Sequence, residues 1–219
     1  MRPGSVAGFL GVMSRAPAPV PIPVIVLAAL FVVVLASIVG ASLGRGRVVV
    51  YQPSAVSVAP IPAAAGIARD TVTIDARDES RWQFFSFARG PLAPPDTSGW
   101  DLAFRRFHAL VAGGVADLGE VPFERVDAAP DSGYVATVLG RDSLNPAVAR
   151  WYRYSMVSHL LEPKPRTYVV RTRDGRYAKL EFLGYYCPGP SAGCVTFVYT
   201  YQGAGGRTFY SPSSVSPRG

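Results

Sequence analysis

Residues 24–43 form an uninterrupted run of twenty residues without an ionisable side chain. A helix needs about 20 such residues to cross the hydrocarbon core of a bilayer, so the run predicts a transmembrane helix over 24–43. A cleaved signal peptide is the alternative, because residues 39–41 (VGA) would suit a signal peptidase. The long, proline-rich stretch in front of the run favours an anchor that stays attached.

Small residues recur in the second half of this predicted helix. Such residues let two helices approach closely within a membrane. We therefore expect the helix to pack against other integral membrane protein subunits through Ala36, Ser37, Gly40 and Ala41.

Proline and small residues divide the rest of the chain. Alternating prolines before the helix favour an extended polyproline II segment, and the stretch after it has the composition of a semi-extended tether. At full extension this tether could reach about 80 Å. The expected divisions are a proline-rich cytoplasmic tail at 1–23, the transmembrane helix at 24–43, the tether at 44–70, a periplasmic β domain at 71–210, and a C-terminal tail at 211–219.

The formal net charge of +7 is concentrated near the membrane segment. Five of the 22 basic residues precede residue 70, and all 15 acidic residues lie at or after it, so the remainder carries 17 minus 15, or +2. Positive charge that flanks a membrane segment is better explained by lipid headgroups than by nucleic acid. We therefore expect the bilayer as a partner and exclude nucleic acid.

Short runs of β-branched and aromatic residues, separated by Gly, Pro and Asp, predict an all-β fold of mostly antiparallel sheet after the single helix. Asp174-Gly175 predicts a hairpin with a two-residue type I′ turn. That turn would place Thr172 opposite Tyr177 and Val170 opposite Lys179. A short helix is expected to begin near Pro146. The predicted strands are 71–74, 82–87, 100–111, 134–138, 167–172, 177–183 and 195–202.

The only two cysteines, Cys187 and Cys194, flank a loop of Pro, Gly and Ser. Their short separation predicts a disulfide, which indicates an oxidising compartment for the β domain. Arginines flank the helix on both sides, so the positive-inside rule barely decides its orientation. We expect an inner-membrane protein with a cytoplasmic N-terminus and a periplasmic C-terminal domain.

The sequence offers no catalytic constellation, and we expect no enzyme and no catalytic residues. Two G-x-S-x-G matches, at 40–44 and 189–193, lack the strand-to-helix context of a hydrolase nucleophile and are interpreted as chance. A zinc site from Cys187, Cys194, His108 and His159 is conceivable by residue type, but the spacing does not support one, and no metal is expected. His108 and His159, with Met156 as a softer alternative, could instead ligate a haem iron axially.

Several segments, in order, resemble the HmuY-like family over residues 71–203. They are WQFFSF (82–87), WDLAFRRF (100–107) leading to Gly113-Gly114, WYRY (151–154), YVVRTRDGRYAKLEFLGYY (168–186) and TFVYTYQ (196–202). The resemblance implies an exported all-β domain, and the founding members of the family capture haem between two axial ligands. Two features depart from the family pattern. Ala112 stands where asparagine is usual before the Gly pair, and a membrane helix replaces the lipid-anchor cysteine.

Two functions of different classes follow from these patterns. The first is a non-catalytic accessory subunit of an inner-membrane complex, with no cofactor. By architecture it resembles the extra single-span subunits of bacterial photosynthetic reaction-centre and antenna complexes. The alternative is a haem-binding or haem-transfer protein of the HmuY type, with His108, His159 or Met156 as ligands.

Overall fold

The chain divides into two compact units, Met1–Arg45 and Gly46–Gly219. A computed structural model describes residues 20–43, 48–55, 66–140, 143–156, 158–189 and 191–210. The predicted tails at 1–23 and 211–219 therefore lie almost wholly outside the described residues.

The described part of the first unit is one helix, α1 (Ile22–Leu43). Its segment Ile22–Gly40 has a mean hydropathy of 3.1, so it is long and apolar enough to cross a membrane. The side-chain hydroxyl of Ser37 donates to the carbonyl of Val33 at 2.8 Å. Ser37 is the one polar side chain among the proposed packing positions, and this bond satisfies its hydroxyl inside the same helix. The apolar N-terminal helix is thus confirmed, with a start two residues earlier than predicted.

The strands of the second unit pair in antiparallel sheets. Its larger sheet has six strands in the order β1-β12-β11-β10-β6-β7, its smaller sheet four in the order β3-β2-β4-β5, and β8 and β9 form a separate ribbon. The strands are β1 (Ile67–Asp75), β2 (Gln83–Ser86), β3 (Gly90–Leu92), β4 (Leu102–Arg105), β5 (His108–Val111), β6 (Gly114–Asp117), β7 (Val135–Ala136), β8 (Tyr152–Tyr154), β9 (Leu161–Pro163), β10 (Thr167–Arg171), β11 (Tyr177–Cys187) and β12 (Ser191–Gln202).

The predicted all-β class is confirmed, although the single strand predicted at 100–111 was wrong. This segment folds back on itself as β4 and β5, with Arg105 opposite His108. The intervening residue Arg106 has a φ of 54°, which lies in the left-handed region and reverses the chain direction. The short turn brings His108 to the start of a strand at the edge of the smaller sheet.

The core is a layer of aromatic rings between the two sheets. Phe85 of β2 meets Phe197 and Tyr199 of β12 at centroid distances of 5.2 and 5.5 Å, and Phe104 of β4 meets Phe182 of β11 at 6.3 Å. All five side chains are at most 3% exposed. Each large aromatic ring removes much apolar area from water, so these contacts hold the sheets face to face.

The predicted hairpin at Asp174-Gly175 forms, but its predicted register was wrong by one residue. Val170 lies opposite Ala178, where a two-residue turn would have placed Lys179. The turn contains three residues because Thr172 and Arg176 pair across it. The N–H of Thr172 donates to the carbonyl of Arg176, and the N–H of Arg176 donates to the hydroxyl of Thr172. Gly175, with a φ of 80°, supplies the left-handed residue that three-residue hairpins use. A one-residue slip exchanges the faces of every later side chain in the strand.

Part of the predicted tether packs against the β domain. We name residues 48–55 the strap. Val50 forms a parallel bridge with Tyr186 of β11, and the N–H of Ser54 donates to the carbonyl of Thr73 on β1 at 2.9 Å. The ring of Tyr51 lies over Gly184, where an added Cβ would come within 3.0 Å of it. The domain therefore includes the strap, and β1 begins at Ile67 rather than at residue 71.

The helix predicted near Pro146 is limited to a single turn. The carbonyl of Asn145 accepts the N–H groups of Val148 and Ala149, and its side-chain oxygen accepts that of Ala147. The chain leaves this turn at Trp151, which is completely buried and whose indole N–H donates to the carbonyl of Phe107 at 3.0 Å. Burial of Trp151 ends the helical geometry because the chain turns there into β8.

Candidate functional site

The three candidate ligands from the sequence lie on two turns of the β domain. His108 directly follows the turn of Arg106 and Phe107, between β4 and β5. Met156 and His159 lie on the longer turn of residues 155–160, between β8 and β9. We name these the first and second ligand turns. Both histidines are exposed, and Met156 is 76% exposed.

A row of aromatic rings connects the two ligand turns. The Phe107 ring lies 4.4 Å from the His108 ring and 5.5 Å from the Tyr152 ring, centroid to centroid. Tyr154 is two residues beyond Tyr152, so both rings lie on the same side of the β8–β9 ribbon. The Tyr154 ring in turn lies 6.0 Å from that of His159. We name Phe107, Tyr152 and Tyr154 the aromatic row; it has one histidine at each end.

Two contacts hold the ribbon and the first ligand turn to the core. The Trp151 indole bonds to Phe107, as described above, and the N–H of Leu161 donates to the hydroxyl of Tyr186 at 2.8 Å. Trp151 also stacks on the core ring of Phe182 at 4.4 Å. Both ligand turns are therefore positioned by buried side chains, although the ligand atoms themselves face solvent.

The two imidazoles have different surroundings. Partial desolvation by the neighbouring atoms, and after it the charge of Arg105, lowers the pKa of His108, which favours the neutral ring although the side chain is exposed. Nδ1 of His159 forms a hydrogen bond with the Tyr154 hydroxyl at 2.7 Å, so Nε2 is the nitrogen left for a ligand. Two imidazoles and one thioether are also the donor types that bind haem iron.

The donor types on the two turns fit haem iron, but the groove beside the second ligand turn is too small to enclose a haem. The groove beside β9, which Leu160 and Leu161 line together with Val48 and Val49 of the strap, has a volume of about 160 Å³. Ligand pockets usually have about 300–1,000 Å³. Haem at this site would be held by the donors of the two turns, beside the half-buried rings of Phe107 and Tyr152 and the exposed ring of Tyr154.

The predicted disulfide is confirmed. Cys187 and Cys194 are bonded across the β11–β12 hairpin, with their Cα atoms 5.0 Å apart. Because the disulfide uses both sulfur atoms, neither cysteine is a thiolate ligand for the conceivable zinc site with the histidines. Asp75 is the residue that lies beside the pair, and its carboxylate is bonded to Arg77.

On α1, Ala36, Ser37 and Gly40 are exposed, as an unpartnered packing surface requires. The side chain of Ala41 lies outside the described residues. Packing against other membrane subunits stays a prediction.

A second polar site surrounds the buried carboxyl of Asp101. A pocket of about 330 Å³ contains this group together with Arg89, Arg173 and Asp174. Asp101 is 8% exposed, and its Oδ2 accepts the N–H of Phe87 at 2.8 Å. Burial raises the pKa of Asp101 to about 6. The carboxyl thus takes part in holding the β2–β3 turn to β4.

We expect the protonation of Asp101 to make the β domain more stable at acidic pH. The folded chain binds this proton more tightly than the unfolded chain, so the free energy of unfolding falls as the pH rises from about 4 to about 6. The loss is at most about 3 kcal/mol. Asp101→Asn should remove this dependence, because its neutral amide oxygen can still accept the Phe87 N–H. Denaturant titrations in mild detergent from about pH 4 to about pH 7 measure the free energy of unfolding across this range.

The matched control is Asp96→Asn at an exposed carboxyl, which should leave the slope of stability against pH between 4 and 6 unchanged. Parallel profiles for wild type and Asp101→Asn would contradict the assignment to Asp101.

The sequence identified the ligand candidates but missed the residues that connect them. Phe107, Tyr152 and Tyr154 are three among the 22 Phe and Tyr residues of the chain, and most aromatic side chains here belong to the core. The available signal was the position of Tyr152 and Tyr154 two residues apart in a short strand, close to His159. The contact with Phe107 is separated from them by more than forty residues and carried no local signal.

Fold and site together define an antiparallel β domain that follows an apolar N-terminal helix and carries His108, Met156 and His159 on two exposed turns. The family model described as HmuY protein matches residues 78–199. This match covers more than half of the 219 residues, and the chain belongs to the HmuY family. No curated protein matches the chain.

Two solved structures illustrate the likeness in fold. The apo HmuY analog (TFO) of Tannerella forsythia is 17% identical with a TM-score of 0.52, covering 62% of this chain and 96% of its own. Apo PinO from Porphyromonas gingivitis is 14% identical with a TM-score of 0.50, covering 62% of this chain and 97% of its own. At these identities the likeness shows the fold. None of these comparisons supports a subunit of a photosynthetic complex.

Proposed function

We propose that the chain is a haem-binding protein that holds haem as cargo between its two ligand turns. The observation that carries the proposal is the aromatic row with an exposed histidine at each end. Membership of the HmuY family supports it, since the founding members capture haem between two axial ligands. This alternative fits the chain better than an accessory subunit without a ligand.

The residues of the site have distinct roles in this proposal. Haem supplies an iron centre that accepts axial ligands and a flat, apolar macrocycle. His108 and His159 are the proposed axial ligands, and Met156 is the alternative ligand on the second turn. The rings of the aromatic row provide surface on which the macrocycle packs, because aromatic side chains remove large apolar areas from water.

Titration of the full-length chain with haemin in mild detergent tests the proposal. Wild type should give a saturable, sharpened Soret band at one haem per chain. His159→Ala should weaken the binding at least tenfold, because removal of a ligand leaves the iron with one protein donor fewer. His108→Ala should have the same effect if both imidazoles bind, and Met156→Ala should have it if the thioether replaces one of them.

Ser158→Ala is the matched control, because it changes the second ligand turn without removing a candidate ligand. It should bind haemin as wild type does. A Soret band in wild type no stronger than that of the double variant His108→Ala/His159→Ala would refute the proposal.

We also propose that α1 anchors the chain in the inner membrane, with the N-terminus in the cytoplasm and the β domain in the periplasm. The length and hydropathy of α1 and the disulfide support this arrangement. Protease added to intact spheroplasts should digest the β domain and leave a membrane-bound fragment that contains α1. Complete protection of the domain would contradict the orientation.

A further inference from the structure

We infer that Tyr154 is a positioning residue for His159: its hydroxyl accepts the Nδ1–H of the imidazole, so that the lone pair on Nε2 is held ready for a metal ligand. This role rests on the proposed function, because the ligand of His159 would be the proposed haem. The geometry of the pair, however, belongs to the chain without haem and can be tested there.

The backbone at His159 is the first observation behind this inference. Within the described ranges, Arg106 and His159 are the non-glycine residues with positive φ, at 54° and 55°. One lies on each ligand turn. An L-residue pays a steric cost in this conformation, whereas glycine adopts it freely. Residues held in such strain cluster at ligand clamps and active sites, where the surrounding structure enforces them.

Hydrogen bonds of the second ligand turn do not require an imidazole. The N–H of His159 donates to the carbonyl of Ser155 at 2.8 Å, and the N–H of Ser155 donates to the carbonyl of Leu160 at 2.9 Å. Both bonds use backbone atoms, so a glycine at position 159 could make them with less strain. The backbone hydrogen bonds of the turn therefore do not explain why position 159 has an imidazole side chain.

The Tyr154 hydroxyl accounts for the orientation of that side chain. It lies 2.7 Å from Nδ1 of His159, while the tyrosine itself is 50% exposed. Because the hydroxyl can donate its own proton to water, it is free to accept the Nδ1–H. The reverse arrangement would leave the proton on Nε2 and block that atom for a metal. Metal-binding histidines in proteins generally donate their second N–H to such a partner.

NMR chemical shifts of the ring nitrogens show which nitrogen of His159 carries the proton. The measurement uses the full-length chain, labelled with ¹⁵N-histidine, in detergent without haem. We expect neutral His159 to carry its proton on Nδ1 in wild type and on Nε2, the more common tautomer, in Tyr154→Phe. His108→Gln assigns the two histidine signals. Tyr210→Phe, at another half-exposed tyrosine, is the matched control and should leave the tautomer of His159 unchanged.

Haemin binding provides the second readout. Loss of a hydrogen bond behind a metal ligand typically lowers metal affinity about 10- to 100-fold, so Tyr154→Phe should weaken haemin binding by that factor and shift the Soret band. Tyr210→Phe should do neither. A merely structural role for Tyr154 would change the unfolding midpoint but leave the spectrum of the haemin complex unchanged.

Backbone strain gives a third readout that is independent of haem. His159→Gly should unfold with an equilibrium constant about fivefold or more below that of His159→Ala, because alanine retains the strain that glycine relieves. Both variants should lose the same haemin affinity.

The outcomes separate this inference from the proposed function. A wild-type chain that fails to bind haemin, but whose His159 tautomer depends on Tyr154, overturns the haem proposal and retains the positioning role. An Nε2–H tautomer in wild type, or the same tautomer in wild type and Tyr154→Phe, overturns the positioning role.

Discussion

Gly113→Ala should lower the free energy of unfolding of the β domain by about 3 kcal/mol or more. A Cβ added at Gly113 would lie 2.0 Å from the backbone carbonyl oxygen of Arg171. Arg171 belongs to β10, where it pairs with Gly114 of β6, so neither backbone can move away without disturbing the sheet ladder. Denaturant titration in mild detergent, followed by circular dichroism, measures the loss.

Two other glycines provide graded controls. A Cβ at Gly114 would meet the Cβ of Tyr134 at 2.9 Å, a smaller overlap than at Gly113, beside the two-residue edge strand β7. A Cβ at Gly140 would meet nothing within 4 Å, so Gly140→Ala should change stability by no more than about 0.5 kcal/mol. The expected order of loss is Gly113, then Gly114, then Gly140. Equal midpoints for Gly113→Ala and Gly140→Ala would contradict the backbone clash.

Trp151→Ala should cost about 3–5 kcal/mol, the usual range for removing a large buried aromatic side chain. The indole is completely buried and stacks on Phe182 at 4.4 Å, and the truncation would leave a cavity at that position. It would also remove the N–H that satisfies the carbonyl of Phe107. Because this bond joins β8 to the first ligand turn, the variant should also weaken haemin binding under conditions where it is still folded.

Trp151→Phe separates the two contributions. Phenylalanine keeps much of the stacking on Phe182 but donates no hydrogen bond, so its loss of stability should lie well below that of alanine. Trp100→Ala, at a half-buried tryptophan that packs at the rim of the smaller sheet against Phe84, is the matched control and should cost less than half as much. If Trp100→Ala and Trp151→Ala lose equal stability, the central role of Trp151 is wrong.

The β10–β11 hairpin shows how far local sequence reaches. Asp174-Gly175 correctly predicted a reversal, because a residue with positive φ is a local requirement that glycine meets. The number of residues in the turn depended on Thr172, whose backbone and hydroxyl both bond to Arg176. Two- and three-residue turns fit the same letters, so the sequence could not decide the register on which the faces of Val169 and Val170 depend.

The candidate site was predictable by residue type but not by arrangement. With only two histidines in the chain, His108 and His159 were evident candidates, and Met156 followed from its proximity. Their connection depends on Phe107 meeting Tyr152, a contact between residues far apart in sequence. The left-handed backbone of His159 was equally hidden, because a histidine gives no signal of positive φ.

Sequence alone determined the apolar helix, the antiparallel β class and the disulfide of Cys187 and Cys194. Each depends on neighbouring residues: an uncharged run, short runs of β-branched and aromatic residues, and a short loop. Only the tertiary structure decided that residues 48–55 pack on the sheet, that Gly113 faces a backbone carbonyl, and that two distant turns share one row of rings. These features arise where segments far apart in the chain come into contact. A local sequence pattern does not predict them, because it does not show which distant residues will meet.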